Sequence, residues 1–344
     1  MSRFASKDSI VNFIKNHIMY LVLLVLLIFF ALQSSRFLTV SNLVNILNQS
    51  AYQIVVGVGI AFIMLSGAID LSVGYQISTI SVVMGILMTQ FEMNFVLVIV
   101  IALALGVVMS LINGVIYVVF KVFPFIITLA TQYIFWGISY MLSGSSSFLN
   151  FPSGFMTIGQ GYIGPIPISI IIMIVCVAVG AFILNRTYFG RYIYGIGSNP
   201  QAISLAGVNI NKMNLAIFAL AGFFTALGTV MLVSTAGSSA STMGVGTEFT
   251  ILAGCMLGGI KMGGGGGKIS SVIVGMLILT VLSNGMQLMQ LGINPQRVAM
   301  GFVLLAAIGI DKLQSSRVIR SAKHVTGEPP APETALNGNQ NEPA

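Results

Sequence analysis

This sequence predicts an all-α polytopic membrane protein with about ten transmembrane helices and both termini cytoplasmic. Three observations predict it. Only 7% of the 344 residues are charged and 56% are hydrophobic, where a soluble domain carries about 25% charged residues. The mean hydropathy is +0.98, and apolar windows recur at the length a bilayer requires, roughly 20 residues of helix each. Basic residues, finally, fall on alternate connections, as the positive-inside bias demands.

The spans follow in order at about 17–35, 47–66, 72–90, 95–119, 124–142, 165–185, 212–234, 247–260, 269–288 and 295–311. The first comes after Arg3, Lys7 and Lys15 and lacks a small-residue cleavage site before Ser34, so it reads as a retained span rather than a signal peptide. Gly, Ser and Thr dilute the third, seventh and eighth. The eighth is also short, which predicts a tilted, broken or re-entrant segment buried in protein. With the N-terminus inside and ten crossings, only Arg36 and Arg297 of the 15 basic residues are left outside. The chain then divides into a cytoplasmic N-terminus (1–16), a transmembrane domain (17–311) with a long cytoplasmic connection at 186–211, and a basic segment and tail (312–344). That tail is rich in Pro and Asn with almost nothing to bury, so disorder is expected. The longest outer connection, 143–165, is neutral and rich in Gly and Ser.

Several function classes are excluded by what the residues do not supply. The net charge of +7 is spread thinly over short connections, whereas nucleic-acid binding needs a basic face. Cys176 and Cys255 sit in apolar runs and read as core fillers. His17 and His324 lie near the ends, and no HExxH, CxxC or GxSxG occurs. Neither a metal site nor a catalytic residue is expected. The run MGGGGGKI (262–269) superficially resembles a phosphate loop. With Gly267 and Lys268 aligned, however, Met262 replaces the first glycine and Ile269 the magnesium-binding hydroxyl. It reads instead as a tight, flexible cytoplasmic turn with Lys261 and Lys268 as topology anchors.

Two short stretches carry local signals. In 185–212, Ser198 or Asn199 can cap a helix, Pro200 suits its first turn, and QAISLAG ends on the glycine stop Gly207. This predicts a short amphipathic helix parallel to the membrane, suited to act as a lever for a cytoplasmic partner or simply to stabilise the loop. The second stretch is GAIDLSVG (67–74). Gly67 releases one helix, Asp70 caps amides of the next, and Gly74 permits close approach. Asp70 as an ion coupler would need a polar partner in the bilayer, and the only other acid in an apolar block is Glu248, placed near the outer mouth of the eighth span. A central path would be lined by modest polar residues: Gln53, Gln76, Asn113, Thr128, Asn284 and Gln287. Each could equally make an interhelical hydrogen bond.

Residues 67–74, with GRYIYGIGSNPQAISLAGVN (190–209) and VGTEFTILAGCMLGGIKMGGGGGK (245–268), resemble the permease subunits of bacterial sugar ABC importers of the ribose, galactose, arabinose and xylose group. Around 112–129 and 144–155 the likeness is greater to the galactose/methylgalactoside type. The resemblance covers roughly 15–315 and implies a non-catalytic permease homodimer in the bacterial inner membrane. Its partners would be an ATP-binding subunit on the cytoplasmic face and a periplasmic or lipid-anchored sugar-binding protein. No cofactor is expected in this chain, because the partner subunit binds the ATP. The resemblance also implies that 198–209 is the coupling helix seated in the ATPase, through Ser198, Asn199, Pro200, Gln201 and Ala202, then Ser204, Leu205, Ala206 and Gly207. The family's Tyr-Glu-Leu-Asp run becomes TEFT here (247–250), keeping Glu248 and losing the second acid. The reading from another class is an ion-coupled secondary transporter, which would need membrane carboxylates with partners or broken helices presenting backbone to an ion.

Overall fold

A computed structural model describes residues 7–305 and 309 of the chain. The predicted tail from 312 lies outside the described residues. Helices occupy every predicted span: α1 (Lys7–Gln33), α2 (Val40–Leu65), α3 (Val73–Thr89), α4 (Phe95–Phe120), α5 (Pro124–Ser143), α7 (Ile168–Arg186), α10 (Ile210–Ala236), α11 (Thr247–Leu257) and α12 (Ile269–Leu288), and α13 at 293–305. Between them lie α6 (Ser153–Gln160), α8 (Tyr188–Ser198) and α9 (Pro200–Leu205). Six of these helices, α2, α4, α5, α7, α10 and α12, are long and apolar enough to cross a membrane, while α3, α11 and the Met19–Gln33 part of α1 are shorter apolar helices. The protein is thus all-α and polytopic, with at least six membrane-crossing helices. One boundary differs from expectation: α1 begins at Lys7, inside the segment assigned to the cytoplasmic N-terminus.

Local chemistry sets the helix ends. Thr39 accepts from the Asn42 amide at 3.4 Å to start α2, and Asn94 from the Val96 amide at 2.9 Å to start α4. Pro124, which cannot donate to a preceding turn, opens α5.

The bundle is built from two halves of opposite sense. In the first, the 26-residue α2 is followed by a buried non-helical link and the 17-residue α3; in the second, the 27-residue α10 is followed by another link and the 11-residue α11. The packing exchanges the halves: α4 runs along α10 as α12 runs along α2, and α3 lies on α10 as α11 lies on α2. A trace persists in the sequence. Val73–Gly74 opens α3 and Val245–Gly246 precedes α11; Asn113–Gly114 in α4 and Asn284–Gly285 in α12 each precede a proline, Pro124 and Pro295, at the same spacing.

Small residues bring the long helices together, as membrane interfaces require. A Cβ on Gly106 of α4 would stand 2.6 Å from the Gly222 carbonyl of α10. The principal core surrounds α2, whose residues from Ile54 to Leu65 are buried without exception. Cys176 and Cys255 are free and buried in it, as core fillers should be.

The two ends of the bundle differ. One gathers Lys121, Arg186, Arg191, Lys212, Lys261 and Lys268 with α8, α9 and the glycine run. The other carries a small folded cap: β1 (Phe148–Leu149) pairs antiparallel with β4 (Ser238–Ser239), and β2 (Tyr162–Ile163) with β3 (Ile166–Pro167). The predicted connection 143–165 is therefore tied to the segment between α10 and α11. Helix α6 is pinned to α10, since the Gly159 amide donates to Ser234 Oγ at 2.6 Å and that hydroxyl donates to the Phe155 carbonyl at 2.9 Å.

The α4–α10 contact yields a direct expectation. Gly222→Leu forces a side chain against Gly106 and Ser110, an overpacking cost of about 1–3 kcal/mol or more. The detergent-purified protein should melt lower by about 2 °C or more, and an unchanged melting temperature would contradict the close packing described.

Candidate functional site

Three features converge where chemistry is concentrated: the buried link before α3, the glycine run that touches it, and a chain of cavities along α11.

The link at 66–72 leaves helical geometry inside protein, so its polar backbone must find partners there. Gly67 takes φ +88°, a left-handed conformation open to glycine and strained for other residues. Asp70 is 1% exposed. Its Oδ1 accepts from the Ser72 amide at 2.7 Å and from the Ser72 hydroxyl at 2.6 Å, while Oδ2 accepts from Gln76 Nε2 at 3.2 Å. Asp70 therefore holds the residue that precedes α3, and the amides of the first helical turn are not its partners; Ser72 occupies the cap position without a side-chain cap bond. Ser72 Oγ in turn accepts from Gln76 Nε2 and from Asn113 Nδ2 of α4, both at 2.8 Å. The Leu71 amide donates to Thr128 Oγ1 of α5 at 3.1 Å. Gln76, Asn113 and Thr128, expected along an open path, thus close around one turn and join α3, α4 and α5.

Glu248 is not at an outer mouth. Helix α11 is about 16 Å long and ends at the glycine run, so its first turn lies deep in the bundle. The residue is 2% exposed, and its Oε2 lies against Gly74, where any Cβ would collide with it. Gly74 also contacts Gly244, whose amide donates to Ser78 Oγ at 3.0 Å. The starts of the two short helices therefore meet, and Gly74 is the point of close approach. Gln76 Oε1, Asn113 Oδ1 and Glu248 Oε2 are buried without a hydrogen-bond partner.

The glycine run forms a tight turn that is held by its neighbours. The Gly265 amide donates to the Leu65 carbonyl at 2.9 Å, and Tyr194 OH of α8 donates to the Gly267 carbonyl at 2.7 Å. Gly264, at φ +82°, is so placed that a Cβ would stand 2.7 Å from the Gly67 nitrogen and 2.9 Å from Gly197 Cα. Three backbones thus meet without side chains between them: the end of α2, the end of α8 and the glycine run. Beyond α8, Asn199 Oδ1 caps α9 by accepting from the Ala202 amide at 3.0 Å, and Pro200 occupies the first turn. Ser198, the alternative cap, instead closes α8 beside Gly265. The helical part is Pro200–Leu205, shorter than 198–209. None of its residues is buried, and Leu205 is 90% exposed. Gln201, Ala202, Ser204, Ala206 and Gly207 lie on this same exposed lobe.

The remaining candidates separate. Asn284 and Asn42 exchange amide hydrogen bonds of 3.0 and 3.1 Å between α12 and α2, so Asn284 is an interhelical clasp. Gln53 and Gln287 share a cavity of about 310 Å³ between α2, α10 and α12, which also includes Tyr52, Thr250 and Thr280. It adjoins a second cavity of about 530 Å³ at Thr250, Ser283 and Met300. That one meets, at Phe249 and Leu304, an apolar third of about 350 Å³ lined by Ile69, Leu71, Met256 and Met262. The series runs from polar to apolar and ends on the Asp70 link. Among the described residues no group of His, Cys, Asp and Glu is placed to hold a metal ion. Residues missed from sequence, Tyr52, Thr280 and Ser283, carry no one-dimensional signal beyond being polar in apolar runs.

The chain matches, over residues 42–308, a family described as the branched-chain amino acid transport system / permease component. It is 36% identical to the galactose/methyl galactoside import permease protein of Escherichia coli K12, over 91% of this chain and 98% of that one. It is 33% identical to the ribose import permease protein of Haemophilus influenzae, over 85% and 91%, and 32% identical to that of Bacillus subtilis, over 86% and 92%. No solved structure matches the chain.

The Asp70 turn predicts a measurable hierarchy. Asp70→Asn keeps the Oδ1 acceptor but sets an amide donor against Gln76 Nε2, so a loss of about 1–3 kcal/mol is expected. Asp70→Leu removes both acceptors and should lower the melting temperature further. Equal melting of both variants and wild type would refute the role assigned to this carboxylate.

Proposed function

Because the chain belongs to the family of branched-chain amino acid transport system permease components, we propose that it carries a monosaccharide inward as the membrane subunit of an ATP-driven importer. The observation that carries this reading is the combination of near full-length likeness to sugar import permeases with an exposed, capped helix wired to the buried core. The chain itself is a non-catalytic permease subunit of an ABC-type importer and a multi-pass integral membrane protein.

The finer organisation completes the reading. Ten helices cross the bacterial inner membrane, with the basic end and both termini in the cytoplasm. Two copies form the permease, an ATP-binding subunit seats on α9, and a periplasmic or lipid-anchored sugar-binding protein docks on the neutral end. The β1–β4 pairing supports that docking role, because it joins two outer connections into one platform. Leu205, 90% exposed at the end of α9, supports the seat, since a large apolar side chain there would be buried by a partner.

Coupling follows the contacts. Nucleotide-driven motion of the partner displaces α9 and with it α8. The glycine seam passes that displacement to the end of α2, because no flexible side chain lies between the three backbones to absorb it. Beyond Gly67 the motion reaches Asp70 and Ser72, and through Gln76, Asn113 and Thr128 it reaches α3, α4 and α5. Alternating access needs packing with two discrete arrangements. The apolar cavity at Ile69, Leu71 and Met256 then acts as the inner gate, and the polar cavities above it as the outward-facing path.

Two experiments test this. Proteoliposomes containing the permease, its ATPase and the loaded binding protein should take up a pentose or hexose only with ATP; uptake driven by an ion gradient with this chain alone would establish secondary transport instead. In the same system Leu205→Glu should cut uptake at least tenfold with membrane insertion intact. Gly264→Ala should lower the sugar moved per ATP hydrolysed, whereas Gly263→Ala, with nothing near its Cβ, should not. Identical stoichiometry for both glycine variants would exclude the seam as the coupling route.

A further inference from the structure

The cavity between α2, α10 and α12 has a lining that the import cycle alone does not require. Its side chains include the amides of Gln49, Gln53 and Gln287 and the hydroxyls of Thr235, Thr280 and Ser283, and none of its residues is charged. Each amide brings two donors and an acceptor oxygen with two lone pairs, and each hydroxyl one donor and two lone pairs. Tyr52 adds an apolar ring face with a polar tip.

The hydroxyl protons of Thr235 and Ser283 are spent on the Met231 carbonyl at 2.8 Å and Gln296 Oε1 at 3.1 Å, so the free capacity lies in the amides and the hydroxyl lone pairs. The one proton of Thr280 Oγ1 is shared between the Met276 carbonyl at 3.0 Å and Gln53 Oε1 at 3.2 Å, and Gln53 Nε2 donates to Tyr52 OH over a long 3.3 Å. The side chains of Gln49 and Gln287 make no hydrogen bond among the described residues. The space, about 310 Å³, falls at the lower end of the range for small-molecule sites, about 300–1,000 Å³.

The chemistry selects the occupant. A charged solute would enter without a counter-charge, and an apolar one would strand the amides and hydroxyls. A single neutral polyhydroxylated ring offers a donor and an acceptor at each carbon and gives those groups partners. We propose that this cavity is a transit station for one monosaccharide inside the permease, between release by the binding protein and passage through the inner gate. The assignment rests on the importer reading given above. The station is weak by construction: it is open on one side, and its lining is only partly organised in advance. Binding of that kind admits a solute without trapping it. One wall is α2, the same helix whose last carbonyl, that of Leu65, is held by Gly265. A displacement arriving through the glycine seam therefore moves the wall of the station directly.

The test uses the assembled transporter in lipid nanodiscs and proteoliposomes. The pair Gln53→Leu with Thr280→Val removes both members of one hydrogen bond and keeps their approximate shape, at the cost of the Gln53 donor to Tyr52 OH. ATP-driven uptake of D-galactose or D-ribose should fall at least tenfold, while stimulation of ATP hydrolysis by the loaded binding protein stays within twofold of wild type. Uptake at the wild-type rate overturns the station. If the pair melts early, Gln287→Leu, exposed at the rim, decides by the same two readouts. A second arm introduces Gln287→Cys, exposed at the cavity rim, with native Cys176 and Cys255 buried away from reagent. Millimolar D-galactose or D-ribose should slow alkylation at least threefold and D-galacturonate should not; alkylation indifferent to either sugar overturns the proposal. Failure of the wild-type transporter to move any monosaccharide defeats the importer reading, whereas wild-type uptake unaltered by the variants defeats the station alone.

Discussion

Backbone amides and carbonyls that leave a helix inside a membrane protein must be satisfied by protein, and that constraint organises this molecule. The link between α2 and α3 meets it with side chains from three helices. Asp70 takes the Ser72 amide, Thr128 of α5 takes the Leu71 amide, and Asn113 of α4 secures the Ser72 hydroxyl. The link between α10 and α11 meets it through Ser78 of α3, which accepts the Gly244 amide, and through Ser81, which donates to the Ala240 carbonyl at 3.2 Å. The first half thus satisfies its own broken segment from α4 and α5, and its helix α3 also satisfies that of the second half. The second link therefore leans on α3, and the starts of α3 and α11 meet at Gly74, which joins the two links.

Glycine provides the second ingredient, and its use is positional. At the seam of Gly67, Gly197 and Gly264 the absence of Cβ atoms lets three backbones touch. Contact between backbones transmits displacement with little loss, because side-chain rotamers are not there to relax. The same economy appears at Gly74, where the starts of α3 and α11 meet beside Glu248. Under the proposed coupling, motion at the basic end would pass toward the cavities through these glycine crossings. The polar gradient of the cavities, amide-rich toward the neutral end and apolar beside Ile69 and Leu71, gives that relay something to open and close.

Much of the architecture was legible in the residues. The apolar windows located the helices, although α1 and α2 begin ten and seven residues ahead of their windows, and the Asn199–Pro200 pair announced α9 through capping chemistry that is local and needs no tertiary context. What escaped was whatever depends on two distant segments. Gln76, Asn113 and Thr128 look like path residues one at a time, since a polar side chain in an apolar run has the same signature whether it faces a channel or another helix. Glu248 was misplaced for a related reason: an apolar block does not reveal that its helix begins halfway through the bundle. The glycine run read as flexible because glycine permits many conformations; its rigidity comes from neighbours at 65–67 and 194–198.

The sequence by itself determined the class of the protein, its helical segments, the sidedness of its charges and the short helix at the basic end. Those follow from hydropathy, positive charge and capping, which act over a turn or two of chain. Only the tertiary structure decided that GAIDLSVG is a buried junction, that the glycine run seals it from below, and that Gln53 and Thr280 face a common cavity. The reason is that hydrogen bonds such as Asn113 to Ser72 join residues far apart in the chain, and their existence depends on how the helices pack rather than on what each helix is.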